Sequence, residues 1–178
     1  MIFKELSIKG AYKIIPEPYT DERGVFRRSF CEEEFNQSGL TNNISQSNIS
    51  ENFHKYTLRG FHYQTTPFSE AKTMTCVSGS IYDIIVDLRP ESKTYLKWES
   101  IDLNPKNRNS LHIPKGCANA FLTIKNNTVV VYFSSTHYNP NFEKGIRYND
   151  PLFNFNWPVN EPQHITEKDN SWPDFIPE

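Results

Sequence analysis

Cysteines, long hydrophobic runs and net charge are what this sequence has least of. Its three cysteines, Cys31, Cys76 and Cys117, are an odd number without a Cys-x-x-Cys pair. We therefore expect free thiols in a reducing compartment, the cytoplasm by default. No apolar run approaches the roughly 20 residues of a membrane-spanning helix, and lysines interrupt the apolar residues at the N-terminus. Neither a signal peptide nor a membrane partner is predicted.

The small net charge limits the possible partners. Lys and Arg total 19 against 21 Asp and Glu, which gives a formal net charge of -2. Binding to nucleic acid through phosphate neutralisation needs an excess of cations, so no nucleic-acid partner is expected, although a local basic pocket remains compatible. A chain of 178 residues predicts a single domain, 1–178, whose core needs no disulfide or structural metal.

The patterning is that of a β protein. Only the acidic stretch Cys31–Gln37, followed by Gly39, reads as a helix. Strand-sized runs with turn residues between them predict an antiparallel sandwich or barrel; the clearest runs are Ser80–Leu88, Tyr95–Leu103 and Thr128–Phe133. After Asp150 the chain is rich in Pro, Trp and Asn, and we expect it to wrap the outside of the core.

Two polar motifs interrupt this pattern, LRGFHYQ at 58–64 and HIPKGCANAF at 112–121. Together they resemble the cupin architecture, which implies an all-β, cupin-type antiparallel sandwich or jelly-roll barrel with a few short helices. The positions that bind metal in other cupins are occupied by His62, Gln64, Lys72 and Asn119. Only one of these is a good metal ligand and one is a cation, so we predict no metal and no cofactor.

A longer series of motifs is similar to the dTDP-4-dehydrorhamnose 3,5-epimerase family. The series runs in the family's order from about Asp21 to Asp169, nearly the whole chain. Each motif alone is weak, but seven in order are specific. The matching segments are DERGVFRRSF, LRGFHYQ with Lys72, VSGSIYDIIVDLRPESKTY, IPKGCANAF, the run ending in Tyr132, RYNDPLFNFNWP and TEKD.

The resemblance implies the epimerisation of a nucleotide-linked 4-keto-6-deoxy sugar. Such a reaction removes a proton next to the ketone and returns one on the opposite face, which requires a base, an acid and a group that stabilises the enolate. In the matching positions, His62 is the base, Asp169 orients it, Tyr132 is the acid and Lys72 donates to the enolate oxygen. Without the resemblance, a buried structural histidine, a core tyrosine and a solvated lysine are the simpler interpretations.

The resemblance also implies binding residues for the nucleotide. Arg23 and Arg59 match positions that contact the pyrophosphate, for which a planar guanidinium is suited. Phe26 and position 28 match residues that reach the nucleotide in a neighbouring subunit, which implies a homodimer. Further substrate-contacting positions are Gln46, Asn48, Tyr138, Glu143 and Lys168.

Two positions depart from the family pattern. Asn119 stands where the family has a histidine; it can still donate a hydrogen bond to the sugar but cannot carry charge, so inversion at C3, at C5 or at both carbons stays open, with restriction to one carbon as one outcome. Arg28 stands where the family commonly has a glutamate. Because a donor replaces an acceptor, we expect that the base need not be thymine.

Two alternative functions remain open at this point. A related sugar-nucleotide 3,4-ketoisomerase would also move protons, but it does not need opposed groups such as His62 and Tyr132. A non-catalytic sugar-nucleotide-binding cupin would need neither these residues nor Lys72 and Asp169. The retained set therefore favours the epimerase.

Overall fold

The computed structural model describes residues 1–177 and is built almost entirely from strands. Two short helices, α1 (Glu32–Gln37) and α2 (Glu167–Asn170), accompany thirteen strands in this part of the chain. None of its helices has the length and apolar character of a membrane span. The strands are β1 (Ile2–Glu5), β2 (Tyr12–Ile15), β3 (Tyr19–Asp21), β4 (Gly24–Phe26), β5 (Gln46–Asn52), β6 (Leu58–Gln64), β7 (Lys72–Ser78), β8 (Ile81–Asp87), β9 (Trp98–Leu103), β10 (Ser110–Ile113), β11 (Cys117–Thr123), β12 (Thr128–Ser134) and β13 (Glu143–Gly145).

The strands form two main sheets and one separate hairpin. The larger sheet has the order β1-β2-β10-β7-β12-β5, and the smaller has the order β13-β6-β11-β8-β9. Within the part of the chain that the structure describes, strands β3 and β4 pair only with each other. All of these strand pairings are antiparallel. The predicted all-β antiparallel sandwich is confirmed.

The main core lies between the two sheets. Met74 and Val130 of the larger sheet belong to the same buried cluster as Ile85 and Phe121 of the smaller one, as expected where alternate residues of facing strands point inward. Cys76 and Cys117 lie in this cluster too, and all three cysteines are free thiols, as predicted.

Each sheet is also covered on its outer face. Phe35 of α1 packs with Ile14 of β2, so the predicted short helix closes one side of the larger sheet. On the other side of the molecule, the chain after Asp150 places Phe153, Phe155 and Trp157 against the smaller sheet. The prediction that this segment wraps the outside of the core is confirmed.

Two details differ from the sequence-based expectation. The strand expected over Tyr95–Leu103 begins only at Trp98, because Leu96 has a φ of 62° and belongs to a turn. Helix α2 was not predicted. Its N-cap residue, Thr166, accepts a hydrogen bond from the Asp169 N–H, and this capping supports a helix of only four residues.

Gly60 marks the closest approach between β6 and β11. Its φ is 116°, and a Cβ atom added there would lie 2.5 Å from the Asn119 carbonyl oxygen and 2.7 Å from the Ala120 Cα. Both neighbours are backbone atoms of an interior strand and cannot move aside easily. The residue two positions before His62 therefore has to be glycine.

Replacing Gly60 with alanine should destabilise the fold more than the same change at Gly24. Gly24 has a similar φ of 127° but nothing within 4 Å of an added Cβ, so Gly24→Ala reports the cost of the φ value alone, roughly 1–3 kcal/mol. Gly60→Ala should cost about 1–3 kcal/mol more because of the clash. Urea unfolding of both variants measures the difference, and equal losses would contradict the close-packing argument.

Candidate active site

A large open cavity lies between the two sheets. Its volume is about 1190 Å³, and its walls come from β5, β7 and β12 of the larger sheet, β6 and β11 of the smaller one, and residues 163–169. Cavities of this size suit ligands of several rings. The sandwich opens here because these strands carry polar side chains where they would otherwise meet in an apolar core.

A histidine–carboxylate pair forms part of one wall. His62 lies on β6, and its Nε2 is 2.7 Å from Oδ1 of Asp169 on α2. The other carboxylate oxygen, Oδ2, accepts a hydrogen bond from the Gly60 N–H at 3.2 Å. Both oxygens of a side chain that is only 6% exposed are thus engaged.

These contacts fix the ionised form of Asp169 and the tautomer of the neutral His62 ring. Burial raises the pKa of Asp169, but the hydrogen bonds from His62 and Gly60 outweigh it and leave the pKa below its usual value. Asp169 is therefore an acceptor at neutral pH, and Nε2 of His62 carries the proton that it accepts. Nδ1 is then the ring nitrogen with a lone pair, as a general base requires.

A phenol and an ammonium group come from the opposite sheet. Tyr132 on β12 and Lys72 at the start of β7 both line the cavity, and Lys72 Nζ lies 3.5 Å from the carbonyl oxygen of His62. Burial raises the pKa of Tyr132, the charge of Glu70 raises it further, and Arg59 acts in the opposite direction. The phenol is therefore protonated at neutral pH, as an acid must be.

Most of the predicted binding residues also lie at this cavity. Arg59 lines it and donates from Nε to Asn52 Oδ1 at 2.8 Å. Glu143 accepts hydrogen bonds from the Tyr138 hydroxyl, at 2.6 Å, and from Lys168. Burial raises the pKa of Glu143, but these two contacts bring it below its usual value. Gln46 and Asn48 line the cavity from β5.

Three predicted residues lie elsewhere in the single chain. Arg23, Phe26 and Arg28 belong to or follow the β3–β4 hairpin and are not among the residues that line the cavity. Arg23 is 83% exposed and pairs with Asp21, whereas Arg28 pairs with Glu34 at 2.7 Å. Phe26 is 75% exposed. Their part in binding stays a prediction.

Asn119 lies in the cavity, but its contacts differ from the expected ones. Its amide nitrogen donates to Asp83 Oδ2 at 3.0 Å and to the Met74 sulfur at 3.4 Å. Both amide protons are thus used inside the protein, and only the carbonyl oxygen, an acceptor, remains for a substrate. The expectation that Asn119 donates a hydrogen bond to the sugar does not fit this geometry.

Asp83 is the buried partner of Asn119. It is fully buried, and its Oδ1 has no hydrogen-bond partner among residues 1–177. Burial raises the pKa of Asp83 well above its usual value, against the weaker opposing effects of Asn119 and Lys72. A protonated, neutral carboxyl group is what this environment stabilises.

Several polar residues at the cavity were not predicted from the sequence; among them are Glu70 and Ser134, which line it, and Asp83, which contacts Asn119. Glu70 is 3.1 Å from Lys72 and accepts a hydrogen bond from the Ser134 hydroxyl. The alternation of strands could have revealed them, because Glu70 precedes Lys72 by two residues and Ser134 follows Tyr132 by two. Asp83 interrupts the apolar run of β8.

Comparison with known proteins identifies the family. The model of the dTDP-4-dehydrorhamnose 3,5-epimerase family matches residues 5–176. The chain belongs to this family. It is 37% identical to the dTDP-4-dehydrorhamnose 3,5-epimerase of Methanothermobacter thermautotrophicus, over 96% of this chain and 92% of the relative.

Solved structures of the epimerase family agree closely with the fold. The dTDP-4-dehydrorhamnose 3,5-epimerase of Bacillus anthracis, solved with TDP and pyrophosphate bound, superimposes with a TM-score of 0.93 at 32% identity, over 98% of this chain and 100% of the other.

A further relative by sequence, a dTDP-4-dehydrorhamnose 3-epimerase of Streptomyces niveus, is 33% identical over 91% of this chain and 78% of its own. The predicted class, an isomerase that epimerises sugars, is confirmed.

The buried carboxyl group of Asp83 should give a characteristic dependence of stability on pH. Because its folded-state pKa is raised, its stabilising contribution is complete below the unfolded pKa and is lost as the pH rises towards the folded one. Over that window, this group should lower the free energy of unfolding by at most about 1.4 kcal/mol per pH unit. Asp83→Asn removes this slope.

Urea unfolding from pH 4 to pH 8 measures the effect. The stability of Asp83→Asn relative to the unsubstituted protein should increase with pH across this range. The control is Asp102→Asn, at an exposed position on β9, for which the difference should stay flat. A flat difference for Asp83→Asn as well would show that the carboxyl group is ionised in the folded protein.

Proposed function

We propose that the protein epimerises a 4-keto-6-deoxy sugar linked to a nucleoside diphosphate, as a step of deoxysugar biosynthesis. The observation that carries this proposal is the opposition of two proton-transfer groups across one cavity. The His62–Asp169 pair belongs to the smaller sheet side, and Tyr132 belongs to the larger sheet. A sugar ring held between them has a base on one face and an acid on the other.

The proposed mechanism consists of two proton transfers, one from the sugar to His62 and one from Tyr132 to the sugar. Nδ1 of His62 takes the proton from a carbon next to the ketone, and Asp169 stabilises the imidazolium that forms, by the same logic as in other histidine–carboxylate pairs. The ketone oxygen becomes an enolate oxygen, to which Lys72 donates. Tyr132 then returns a proton to the carbon from the opposite face, and the carbon is inverted.

Arg59 and Lys168 are proposed to bind the diphosphate and the adjoining parts of the nucleotide sugar. Arg59 offers guanidinium N–H groups beyond the one that Asn52 accepts, and these can reach phosphate oxygens in a bidentate way. Tyr138 lies at the cavity's edge, 54% exposed, where its ring can stack on a base. Gln46, Asn48 and Glu143 complete this part of the proposed site.

The number of inverted carbons is the finer part of the proposal. Relatives named as 3,5-epimerases and as a 3-epimerase are both similar to this chain. Because the Asn119 amide protons are taken by Asp83 and Met74, we propose that the sugar is held differently from an enzyme with histidine there, and that one carbon is inverted.

We also propose a cytoplasmic location, which the three free thiols support.

The β3–β4 hairpin is proposed to act in a partner subunit of a homodimer. Within its own chain it forms a separate two-stranded sheet that exposes Tyr19, Val25 and Phe26. Exposed apolar side chains on a protruding hairpin fit an interface, and Phe26 would then cover the nucleotide in the partner's cavity. Arg23 and Arg28 would come with it, and Arg28 would face carbonyl oxygens of the base or a phosphate.

Incubation in deuterated water tests the reaction directly. With a dTDP-linked 4-keto-6-deoxy sugar, the protein should incorporate deuterium next to the ketone, at one carbon if the proposal for Asn119 holds. His62→Asn should lower the rate by about 10²–10⁴-fold, since it removes the base. NMR spectroscopy of the sugar gives the rate and the carbon.

A matched control for this assay is His137→Asn, because that imidazole is exposed and does not line the cavity; it should retain the full rate. The absence of exchange in the unsubstituted protein with dTDP-, CDP- and GDP-linked sugars would favour the non-catalytic binding alternative. Exchange accompanied by a keto group that moves to another carbon would favour the ketoisomerase. Retained exchange in His62→Asn would remove His62 from the base role.

Mixed dimers test whether the hairpin acts in the partner's cavity. His62→Asn and the double variant Phe26→Ala/Arg28→Ala should each have low activity, but subunits mixed in equal amounts should regain up to about a quarter of the original activity. Half of the random dimers would contain one site with both an intact base and an intact hairpin.

The control pair for this experiment is His62→Asn mixed with Tyr138→Ala. Both residues line the cavity of one chain, so no mixed dimer has a complete site and activity should not recover. Recovery in the control alone, or a monomeric protein by light scattering, would contradict the shared site.

A further inference from the structure

A second carboxylate, that of Glu70, lies in the cavity beside the proposed acid. It lines the cavity, and its side chain is only 11% exposed. The proposed reaction assigns it no proton transfer, and it is not part of the His62–Asp169 pair. A charged group that is so little exposed in a catalytic cavity calls for a physical reason, because desolvation of a carboxylate is costly unless it is paired.

Both oxygens of Glu70 are held by the larger sheet. Oε1 lies 3.1 Å from Lys72 Nζ, and Oε2 accepts a hydrogen bond from the Ser134 hydroxyl. Lys72 and Ser134 are register partners on β7 and β12, so the carboxylate bridges two adjacent strands. Its position is therefore fixed by contacts on both sides.

This position places the charge close to Tyr132. Ser134 follows Tyr132 by two residues on β12, and both line the cavity, so their side chains lie on one face of the strand about 7 Å apart. The carboxylate that contacts Ser134 is thus a near neighbour of the phenol. Its negative charge opposes a second negative charge on the phenolate oxygen.

The cations around Tyr132 oppose the protonated form of its phenol, and a nearby negative charge offsets them. Asn48, which is neutral, is the register partner of Tyr132 on β5. The titratable side chains that line the cavity from the neighbouring strands are Glu51 on β5, Arg59, His62 and Tyr63 on β6, Lys72 on β7 and Glu70 just before it. The two permanent cations favour the phenolate, which cannot act as an acid. Glu51 is the register partner of Val129, three residues from Tyr132, whereas Glu70 is held at Ser134 and offsets the cations next to the phenol.

We propose that Glu70 is a positioning residue for the acid: its carboxylate, held between Lys72 and Ser134, keeps the phenol of Tyr132 protonated and keeps the Lys72 ammonium group at the cavity wall. The proposal rests on the function proposed above for Tyr132. The raised pKa of Tyr132, to which burial contributes most and Glu70 next, agrees with it.

Titration of the tyrosines without substrate tests this proposal. In protein labelled with ¹³C at the tyrosine Cζ, the Tyr132 signal is assigned by its loss in Tyr132→Phe, and its titration midpoint is measured by NMR. Glu70→Gln keeps the size of the side chain and removes its charge, so the midpoint of Tyr132 should move to lower pH. Ser134→Ala keeps the charge and should move it less.

The matched control is Glu143→Gln. Glu143 is a second carboxylate of the cavity, but it accepts a hydrogen bond from Tyr138, whose pKa it raises. Glu143→Gln should therefore lower the midpoint of Tyr138 and leave that of Tyr132 in place, the reverse of Glu70→Gln. An unchanged Tyr132 midpoint in folded Glu70→Gln, checked by circular dichroism, would overturn the proposal.

The pH profile of kcat/KM, which reports the pKa values of the free enzyme, separates this proposal from the assignment of the acid. If Tyr132 is the acid, the alkaline limb of the profile should move to lower pH in Glu70→Gln by the same amount as the NMR midpoint. A midpoint that moves without the alkaline limb would support the effect of Glu70 on the phenol and overturn Tyr132 as the acid.

Discussion

The candidate site depends on the hydrogen bond between His62 and Asp169, which joins two distant parts of the chain. His62 belongs to an interior strand of the smaller sheet, whereas Asp169 lies on a helix of four residues near the C-terminus. That helix has little stability of its own. Thr166 caps it, and Asp169 anchors it by accepting from both His62 and the Gly60 N–H. The orientation of the imidazole and the position of the C-terminal segment therefore depend on each other.

Two of the cations in the cavity are paired with carboxylates. The whole chain is close to neutral, and the same balance holds inside the site, where Lys72 pairs with Glu70 and Lys168 with Glu143. Each cation is thus kept in place before a ligand enters. A dianionic nucleotide can then be bound by groups that are already oriented, without a surface that attracts polyanions in general.

The sequence was most informative where function requires adjacent residues. The motif LRGFHYQ points to the candidate base His62, and the structure shows that the same few residues form β6 and its close approach to β11 at Gly60. Helix α2 has no periodic apolar pattern, since it is held by a cap and by one long-range carboxylate contact. No sequence motif contains Glu70. Its place in the site depends on a hydrogen bond from Ser134, which lies 64 residues further on. The hairpin at Phe26 can be located from the sequence, but a single chain does not contain the cavity that it is proposed to cover.

The replacement of a histidine by Asn119 affects the orientation of the sugar more than the stabilisation of charge. Carbons 3 and 5 are both adjacent to the same ketone, so either enolate places its charge on the same oxygen, which Lys72 can reach in the proposed site. Asp83 adds no negative charge near that oxygen, because its environment favours the protonated form. The proposed restriction to one carbon therefore concerns which C–H bond comes within reach of His62. Under this proposal, an acceptor at position 119 instead of a donor changes how the ring is held, and so which carbon faces the base.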